Sequence, residues 1–177
     1  MSSRDPRHPG GAEAGTAVLW APWRMRYIEE KKSQDCIFCV PTEAESLKDN
    51  LILRVTPYSR VMLNKYPYNN GHLLVAPKRH ENNLANLAPE EYTDLSEVLR
   101  RAIEITKQVY NPGGLNVGMN LGKCAGAGIE DHLHWHIVPR WEGDTNFMPV
   151  VGETRVMPQH LADSYDRLAQ HFQNLAV

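Results

Sequence analysis

Three histidines at alternate positions constrain the fold of this chain more than any other feature. The stretch DHLHWHIVPRW, residues 131–141, places His132, His134 and His136 at every second position. Successive side chains of a β-strand point to opposite faces of a sheet, so these imidazoles would share one face, with Cα atoms roughly 6.6 Å apart. The apolar residues between them would share the other face. The alternation therefore predicts a strand with one face toward a core and one imidazole face.

The residues alone leave three interpretations of the imidazole face open. Histidine can be the polar residue of a half-exposed strand, but eight histidines occur in the chain and three fall within five residues. All three can instead bind one metal ion. Alternatively, one imidazole is a nucleophile and its neighbours bind charge, because a useful fraction of histidine is unprotonated near neutral pH.

The rest of the chain predicts an α+β fold. Strands are expected at LILRVT (51–56), RVMLNK (60–65), HLLVAP (72–77) and LNVGMN (115–120). Apolar residues at helical spacing predict a long helix from Pro89 to about Tyr110, and PQHLADSYDRLAQHF predicts a C-terminal helix. Hairpin spacing and segregated helices favour an antiparallel sheet of about five strands.

The length of 177 residues suits one domain. Residues 1–17 are rich in Gly, Pro and charge and are predicted to be a disordered tail, and residues 18–177 a single domain. The net charge of −2 gives no reason to expect nucleic acid or an acidic membrane as partner. With no long apolar run and no apolar N-terminal segment, a cytoplasmic protein is expected.

The three cysteines are poorly suited to a disulfide framework. Cys36 and Cys39 form a C-x-x-C pair on a predicted tight turn, and Cys124 stands alone. In a reducing compartment C-x-x-C indicates metal or redox chemistry, and the spacing alone does not choose between them. Cys124 is expected to be a small buried thiol.

Beyond these patterns, the chain resembles the histidine triad (HIT) family. HLHWHIVPR matches the signature of that family, and LNKYPYNNGHLLVAPKRH (63–80) resembles its strand, turn and strand with an Asn and, eight positions on, a Gly-His. Together with LWAPWRMRYI, NVGMNLG and WEGDTNFMPV, the chain is similar to the bacterial branch of dinucleoside tetraphosphate phosphorylases or hydrolases. The similarity runs from about Leu19 to about Leu168 and implies a HIT-like fold.

The resemblance implies a role for each matching residue. His134 would be the nucleophile that attacks the α-phosphorus of a nucleotide, and His136 and His72 would bind phosphate. Asn64 would contact the ribose. Asn120 would contact the phosphate or the leaving group, although the loop after it is one residue longer than is usual in the family.

The glycine-rich loop GKCAGAG (122–128) leads into the histidine stretch. Backbone N–H groups at Gly126 and Gly128 can approach phosphate closely there, although such a loop is also typical of a plain turn. Many family members carry Gln or Ser four residues before the first histidine, where this chain has Gly128. Any side-chain contact at that position is lost, which leaves open whether water or inorganic phosphate is the acceptor.

The family also implies a metal site. Some histidine triad proteins bind zinc through a C-x-x-C pair, a histidine after the third strand and the first histidine of the triad. Those positions are Cys36, Cys39, His80 and His132 here. Four protein ligands without an open position make a structural zinc site that supports the catalytic strand.

The expected function is cleavage of a dinucleoside polyphosphate such as diadenosine tetraphosphate through a nucleotidyl-histidine. Phosphate as acceptor would make the protein a phosphorylase and an ATP adenylyltransferase in reverse, and water would make it a hydrolase. A nucleoside phosphoramidase and a zinc-stabilised nucleotide-binding module without turnover are the alternatives. The family is usually homodimeric. The sequence leaves the need for Mg²⁺ with the polyphosphate open.

Overall fold

The computed structural model describes residues 36–144, 159–173 and 175. Within them the chain forms five strands and two α-helices. The strands are β1 (Ile52–Val55), β2 (Ser59–Leu63), β3 (Leu73–Pro77), β4 (Gly114–Met119) and β5 (Trp135–Arg140), and the helices are α1 (Pro89–Tyr110) and α2 (Leu161–Phe172). Short 3-10 turns cover Ala44–Ser46, Leu84–Asn86 and Lys123–Ala125.

The strands form one antiparallel sheet in the order β1-β2-β3-β5-β4. The first three strands form a meander joined by short turns. The chain then crosses over through α1 to the sheet edge at β4, and β5 returns between β4 and β3. This arrangement confirms the predicted α+β fold with an antiparallel sheet of five strands, one long helix and one C-terminal helix.

Both helices pack on one face of the sheet. Alternate strand residues such as Val61, Val75 and Ile137 contact the apolar side of the helices, where Val98 and Leu168 are also fully buried. Pro89 begins α1 because its fixed φ suits a first helical turn, and Asn111 ends it in the left-handed conformation. The predicted bounds of this helix are confirmed.

The opposite face of the sheet carries a second, smaller apolar cluster. Met62, Leu74 and Ala76 alternate with the residues of the first core and pack around the fully buried Phe38 of the Cys36–Cys39 turn. The Cys39 N–H donates to the Cys36 carbonyl at 2.9 Å, which confirms the predicted tight turn. The histidine stretch lies on this second face.

The predicted strand through all three histidines is wrong at its start. β5 begins at Trp135, so His132 and His134 precede it and only His136 lies within it. The reason is that the chain before Trp135 leaves the ladder. β4 ends at Met119, opposite Trp135, and although β3 continues to Pro77, the Leu133 N–H donates to the Glu81 carbonyl beyond the end of β3. The imidazoles nevertheless lie on one side, because the rings of His132 and His134 both contact Phe38 and the ring of His134 contacts that of His136.

Several expectations concern residues outside the described ranges. They include the disordered tail of residues 1–17, the two tryptophans of LWAPWRMRYI and most of WEGDTNFMPV. Among the described residues, no helix combines the length and apolar character that a membrane span requires.

Candidate active site

His134 is buried and held in one orientation. Its side chain is 5% exposed, and its Nδ1 lies 2.9 Å from the backbone carbonyl of His132. A carbonyl oxygen only accepts, so Nδ1 carries the proton and Nε2 keeps its lone pair. Burial lowers the pKa of His134, which favours the neutral ring. These are the properties that a nucleophilic imidazole needs.

His72 and His136 form a directed hydrogen-bonded pair beside His134. The Tyr68 backbone N–H and the Asn64 side-chain amide both donate to His72 Nδ1, at 3.0 and 3.3 Å. The proton of His72 is therefore on Nε2, which lies 2.9 Å from His136 Nδ1. His136 Nδ1 accepts that hydrogen bond, so its own proton is on Nε2.

The pair places a hydrogen-bond donor beside a nucleophile. Burial, together with the nearby His134, lowers the pKa of His136 to about 4, so the ring is neutral at physiological pH. The ring centroids of His134 and His136 are 4.8 Å apart. An outward Nε2–H can donate to a phosphate oxygen, and the site offers this without a permanent cation on either ring.

Tyr68 contributes more to the site than its sequence position indicated. Its ring centroid lies 4.6 Å from that of His72 and 5.8 Å from that of His136, stacked at 21° on the latter. Its backbone also supplies the N–H that sets the His72 tautomer. The side-chain Oδ1 of Asn64 accepts from the Tyr66 backbone N–H at 2.9 Å, which orients the Asn64 NH2 group toward His72.

The glycine-rich loop lies at the same end of the sheet. Asn120 directly follows β4 and His134 directly precedes β5, and these strands pair through Met119↔Trp135. The Asn120 amide donates to the Gly126 carbonyl at 3.4 Å, which closes the loop. Gly126 has a φ of 88°, a conformation that side chains strain to adopt. Gly128 is partly buried just before the histidine stretch.

The four predicted metal ligands come together next to this site. Their ligand atoms all lie within 4.8 Å of one another: Cys36, Cys39, His80 and His132. The Cys36 Sγ–His132 Nδ1 and Cys39 Sγ–His80 Nδ1 distances are both 3.3 Å, and Cys39 Sγ–His132 Nδ1 is 3.6 Å. Tetrahedral zinc with bonds of about 2.3 Å to sulfur and 2.0 Å to nitrogen separates such ligands by about 3.5 Å.

The tautomer of His132 also suits a metal. Its Nε2 lies 2.9 Å from the Pro77 carbonyl and so carries the proton, which leaves the Nδ1 lone pair facing the two thiols. Burial lowers the pKa of His132 to about 4, which keeps the ring neutral. The donor set of two thiols and two imidazoles therefore fits a metal ion.

Two features of this region, the positions of Phe38 and Arg60, were not predicted from the sequence. Phe38 lies between the two cysteines in sequence and contacts the rings of His132 and His134, each at 4.9 Å between centroids. Arg60 is 5% exposed, and its Nε is buried without a partner among the described residues beside the thiols. A buried cation there can balance thiolate charge.

Cys124 is exposed, so its predicted burial is wrong, because the loop that carries it lies on the surface.

Fold and site together define a class of protein, in which an antiparallel sheet carries an alternating-histidine site beside a two-cysteine, two-histidine cluster. The family model of the HIT domain matches residues 45–143. The chain is 40% identical to the AP-4-A phosphorylase of Mycobacterium tuberculosis over 159 residues, 85% of this chain and 82% of that protein. The chain therefore belongs to the HIT domain family.

Two further similarities agree with this membership. The asymmetrical bis(5'-nucleosyl)-tetraphosphatase of Schizosaccharomyces pombe is 35% identical over 89 residues, which are 50% of this chain and 48% of that protein. A hypothetical histidine triad nucleotide-binding protein from Sulfolobus tokodaii superposes with a TM-score of 0.60 at 26% identity, covering 78% of this chain and 93% of that chain. The predicted resemblance and its phosphorylase-like branch are confirmed.

Proposed function

We propose that this protein cleaves dinucleoside polyphosphates such as diadenosine tetraphosphate through a covalent nucleotidyl intermediate on His134. The observation that carries the proposal is the hydrogen bond from His134 Nδ1 to the His132 carbonyl, which leaves Nε2 as the nucleophilic atom. The similarity to AP-4-A phosphorylase over most of both chains supports the choice of substrate.

In the proposed first step, His134 Nε2 attacks the α-phosphorus. The P–N bond forms as the bond to the bridging oxygen breaks, and ATP leaves from diadenosine tetraphosphate. The His136 Nε2–H donates to the phosphoryl group or the departing oxygen, and His72 holds the His136 ring in that orientation. In the second step an acceptor attacks the same phosphorus and frees His134.

The remaining binding roles follow from position. Asn64 is proposed to contact the ribose while its amide group holds His72. Asn120 and the backbone at Gly126 and Gly128 are proposed to contact the phosphates from the other side of His134. Since Gly128 offers no side chain, only its backbone can serve there.

We propose that Cys36, Cys39, His80 and His132 hold a structural zinc ion. Zinc is the metal that this donor set and these distances favour, and four protein ligands leave no open position for chemistry. The ion would bind the Cys36–Cys39 turn to the chain segment that precedes His134. Mg²⁺ is proposed only as a companion of the polyphosphate.

Two other functions use the same residues. A nucleoside phosphoramidase shares the nucleophile but releases a small amine. A nucleotide-binding module would need no nucleophile, and the fixed tautomers of His134 and His72 argue against it.

The protein is further proposed to act in the cytoplasm as a homodimer that pairs through the edge strand β4, where Val117 is 40% exposed.

Product analysis of diadenosine tetraphosphate turnover, with and without inorganic phosphate, tests the proposal. ADP plus ATP, formed only with phosphate, would identify a phosphorylase. AMP plus ATP in both conditions would identify a hydrolase. No turnover in either condition would contradict the proposal, and phosphoramidate substrates followed by nucleotide-binding measurements would then separate the two alternatives.

A further inference from the structure

A nearly buried carboxylate connects two distant parts of the chain behind the histidine pair. The side chain of Asp144 is 10% exposed. Its Oδ2 accepts from Asn69 Nδ2 and Arg140 Nε, both at 2.7 Å, and from the Trp141 N–H at 3.1 Å. Its Oδ1 accepts from Arg140 Nη2 at 2.9 Å. From the described residues this carboxylate thus receives four hydrogen bonds, two of them from a bidentate guanidinium.

Asn69 carries this connection to the turn between β2 and β3. Its side-chain amide also donates to the Pro139 carbonyl at 3.0 Å, and its backbone carbonyl accepts from the His72 N–H at 3.2 Å. The β3–β5 ladder ends at Leu73↔Ile137, and Pro139 has no N–H with which to extend it. The Asn69 side chain therefore holds the turn against β5 where the strands themselves no longer pair.

We infer that Asp144 is a positioning residue for the His72–His136 pair. The pair needs the turn, which supplies the Tyr68 N–H to His72, and β5, which supplies His136. Through its hydrogen bond to Asn69, Asp144 holds the turn between β2 and β3 against the end of β5. Its hydrogen bonds to Asn69, Arg140 and Trp141 link it to the backbone segments that carry the two rings, so we assign its effect on catalysis to the geometry of the pair. The inference rests on the proposed function insofar as it assigns a catalytic consequence.

The role requires a carboxylate and not only a side chain of that shape. An ionised carboxylate is acceptor-only, whereas an amide presents an NH2 group that would face the Asn69 amide or the Arg140 guanidinium. The substitution Asp144→Asn is nearly isosteric, so it removes one acceptor oxygen and the negative charge with little change in volume. The substitution Asn69→Ala breaks the same connection from its other end and leaves the Arg140–Asp144 pair intact.

The first measurement is independent of turnover. In ¹⁵N-labelled protein, long-range ¹H–¹⁵N spectra of the imidazoles should show His72 and His136 each as the Nε2–H tautomer. In Asp144→Asn and in Asn69→Ala we expect one or both rings to lose the fixed tautomer and give averaged nitrogen shifts. The spectra should still show His134 as the Nδ1–H tautomer, because its partner is a carbonyl two residues away.

The second measurement is kinetic. We expect Asp144→Asn to lower kcat/KM for diadenosine tetraphosphate by about 10- to 100-fold, because small displacements of phosphate-binding groups are costly. In a His136→Gln background the same substitution should have almost no further effect, since coupled residues are not additive. A purely structural role for Asp144 would give equal losses in both backgrounds.

The matched control is Asp166→Asn, which removes the carboxylate of an ion pair with Lys48 whose side chains are both 60% exposed. It should leave the imidazole spectra and kcat/KM unchanged. If Asp144→Asn does not fold, Asn69→Ala carries the test. Wild-type tautomers in the variants, or additive losses in the cycle, would overturn the inference. Absence of turnover by the wild type would instead refute the proposed function, and the spectra would still decide the positioning role.

Discussion

At the residue scale, two histidines two positions apart are prepared for opposite tasks. The His132 carbonyl takes the Nδ1 proton of His134, and His72 donates to Nδ1 of His136. The first ring therefore presents a lone pair at Nε2 and the second presents an N–H. The sequence predicts the residue type and spacing, but the tautomer of His136 depends on His72, which lies 64 residues away, and could not be predicted from the local pattern.

Replacing the proposed nucleophile should separate chemistry from binding. We expect His134→Asn to lower the turnover of diadenosine tetraphosphate by at least about 10³-fold, because the variant lacks the Nε2 on which the proposed covalent intermediate forms. Intact-mass analysis of rapidly quenched wild type should show a nucleotidyl adduct that the variant lacks, while calorimetry should show nucleotide binding by both. The control is His171→Asn, which changes a histidine of α2 and should turn over the substrate as the wild type does. Normal turnover in the His134 variant would contradict the assignment.

The pH dependence should follow the neutral state of His136. Its pKa of about 4 lies below the ordinary value of 6.5, so Nδ1 gains a proton only at low pH. The ring then keeps its Nε2–H but can no longer accept the hydrogen bond from His72 that holds it in place. We expect kcat/KM to stay level from pH 8 to about pH 5 and to fall as pH approaches about 4. Circular dichroism at each pH verifies folding. A half-maximal point between pH 6 and 7 would show that the site does not keep this ring neutral.

At the element scale, the bounds of an element were predicted well where they depend on its own residues. They were not predicted where they depend on a neighbouring strand. Apolar spacing predicted α1, because one helix face suffices to bury Leu95, Val98 and Ala102. The start of β5 depends on a neighbouring strand: β4 ends at Met119, opposite Trp135, so β5 begins at Trp135 and not before the first histidine.

The turn before β3 should be sensitive to a single methyl group. A Cβ added at Gly71, whose φ is 71°, would lie 2.5 Å from Tyr110 Cε2, and one added at Gly143, whose φ is 77°, would meet nothing within 4 Å. We expect Gly143→Ala to cost about 1–2 kcal/mol through its left-handed backbone. Gly71→Ala should cost about 1–3 kcal/mol more from overpacking. Urea unfolding measures both, and equal losses would mean that Tyr110 moves aside freely.

The Cys36–Cys39 turn should gain its stability from zinc. At a free zinc concentration 100 times the dissociation constant we expect about 2.7 kcal/mol of stabilisation, or a rise in Tm of about 5–10 °C. Cys36→Ser should lose most of this rise and bind less zinc by elemental analysis. Cys124→Ser, a change of an exposed cysteine outside the cluster, should behave as wild type. An equal rise in Tm in both variants would place the ion elsewhere.

At the scale of the whole molecule, the sheet brings together segments that are remote in sequence. His80 lies 41 residues from Cys39, and His132 lies 96 residues from Cys36. Family resemblance predicted this ligand set, although spacing alone could not. No sequence signal predicted Arg60, whose burial beside the thiols depends on the position of β2 in the sheet. The same holds for the Asn69–Asp144 contact across 75 residues.

The sheet ends at β4, and that edge should be where two copies meet. In the described sheet β4 pairs only with β5, so its other side presents unpaired N–H and C=O groups, a template for another strand. A second copy related by a two-fold axis would cover this edge and the exposed Val117 with its own β4. We expect sedimentation analysis to give twice the chain mass for the wild type and mainly single chains for Val117→Glu, because the charge would be buried in the interface.

The control must introduce the same charge at equal exposure away from β4. Tyr58 is 42% exposed, against 40% for Val117, and lies in the turn between β1 and β2. Tyr58→Glu should therefore sediment as wild type. A wild type that sediments as single chains at micromolar concentration would refute the homodimer. A Val117→Glu variant that stays dimeric would keep the homodimer but move its interface away from β4, since a buried unpaired carboxylate there would not be tolerated.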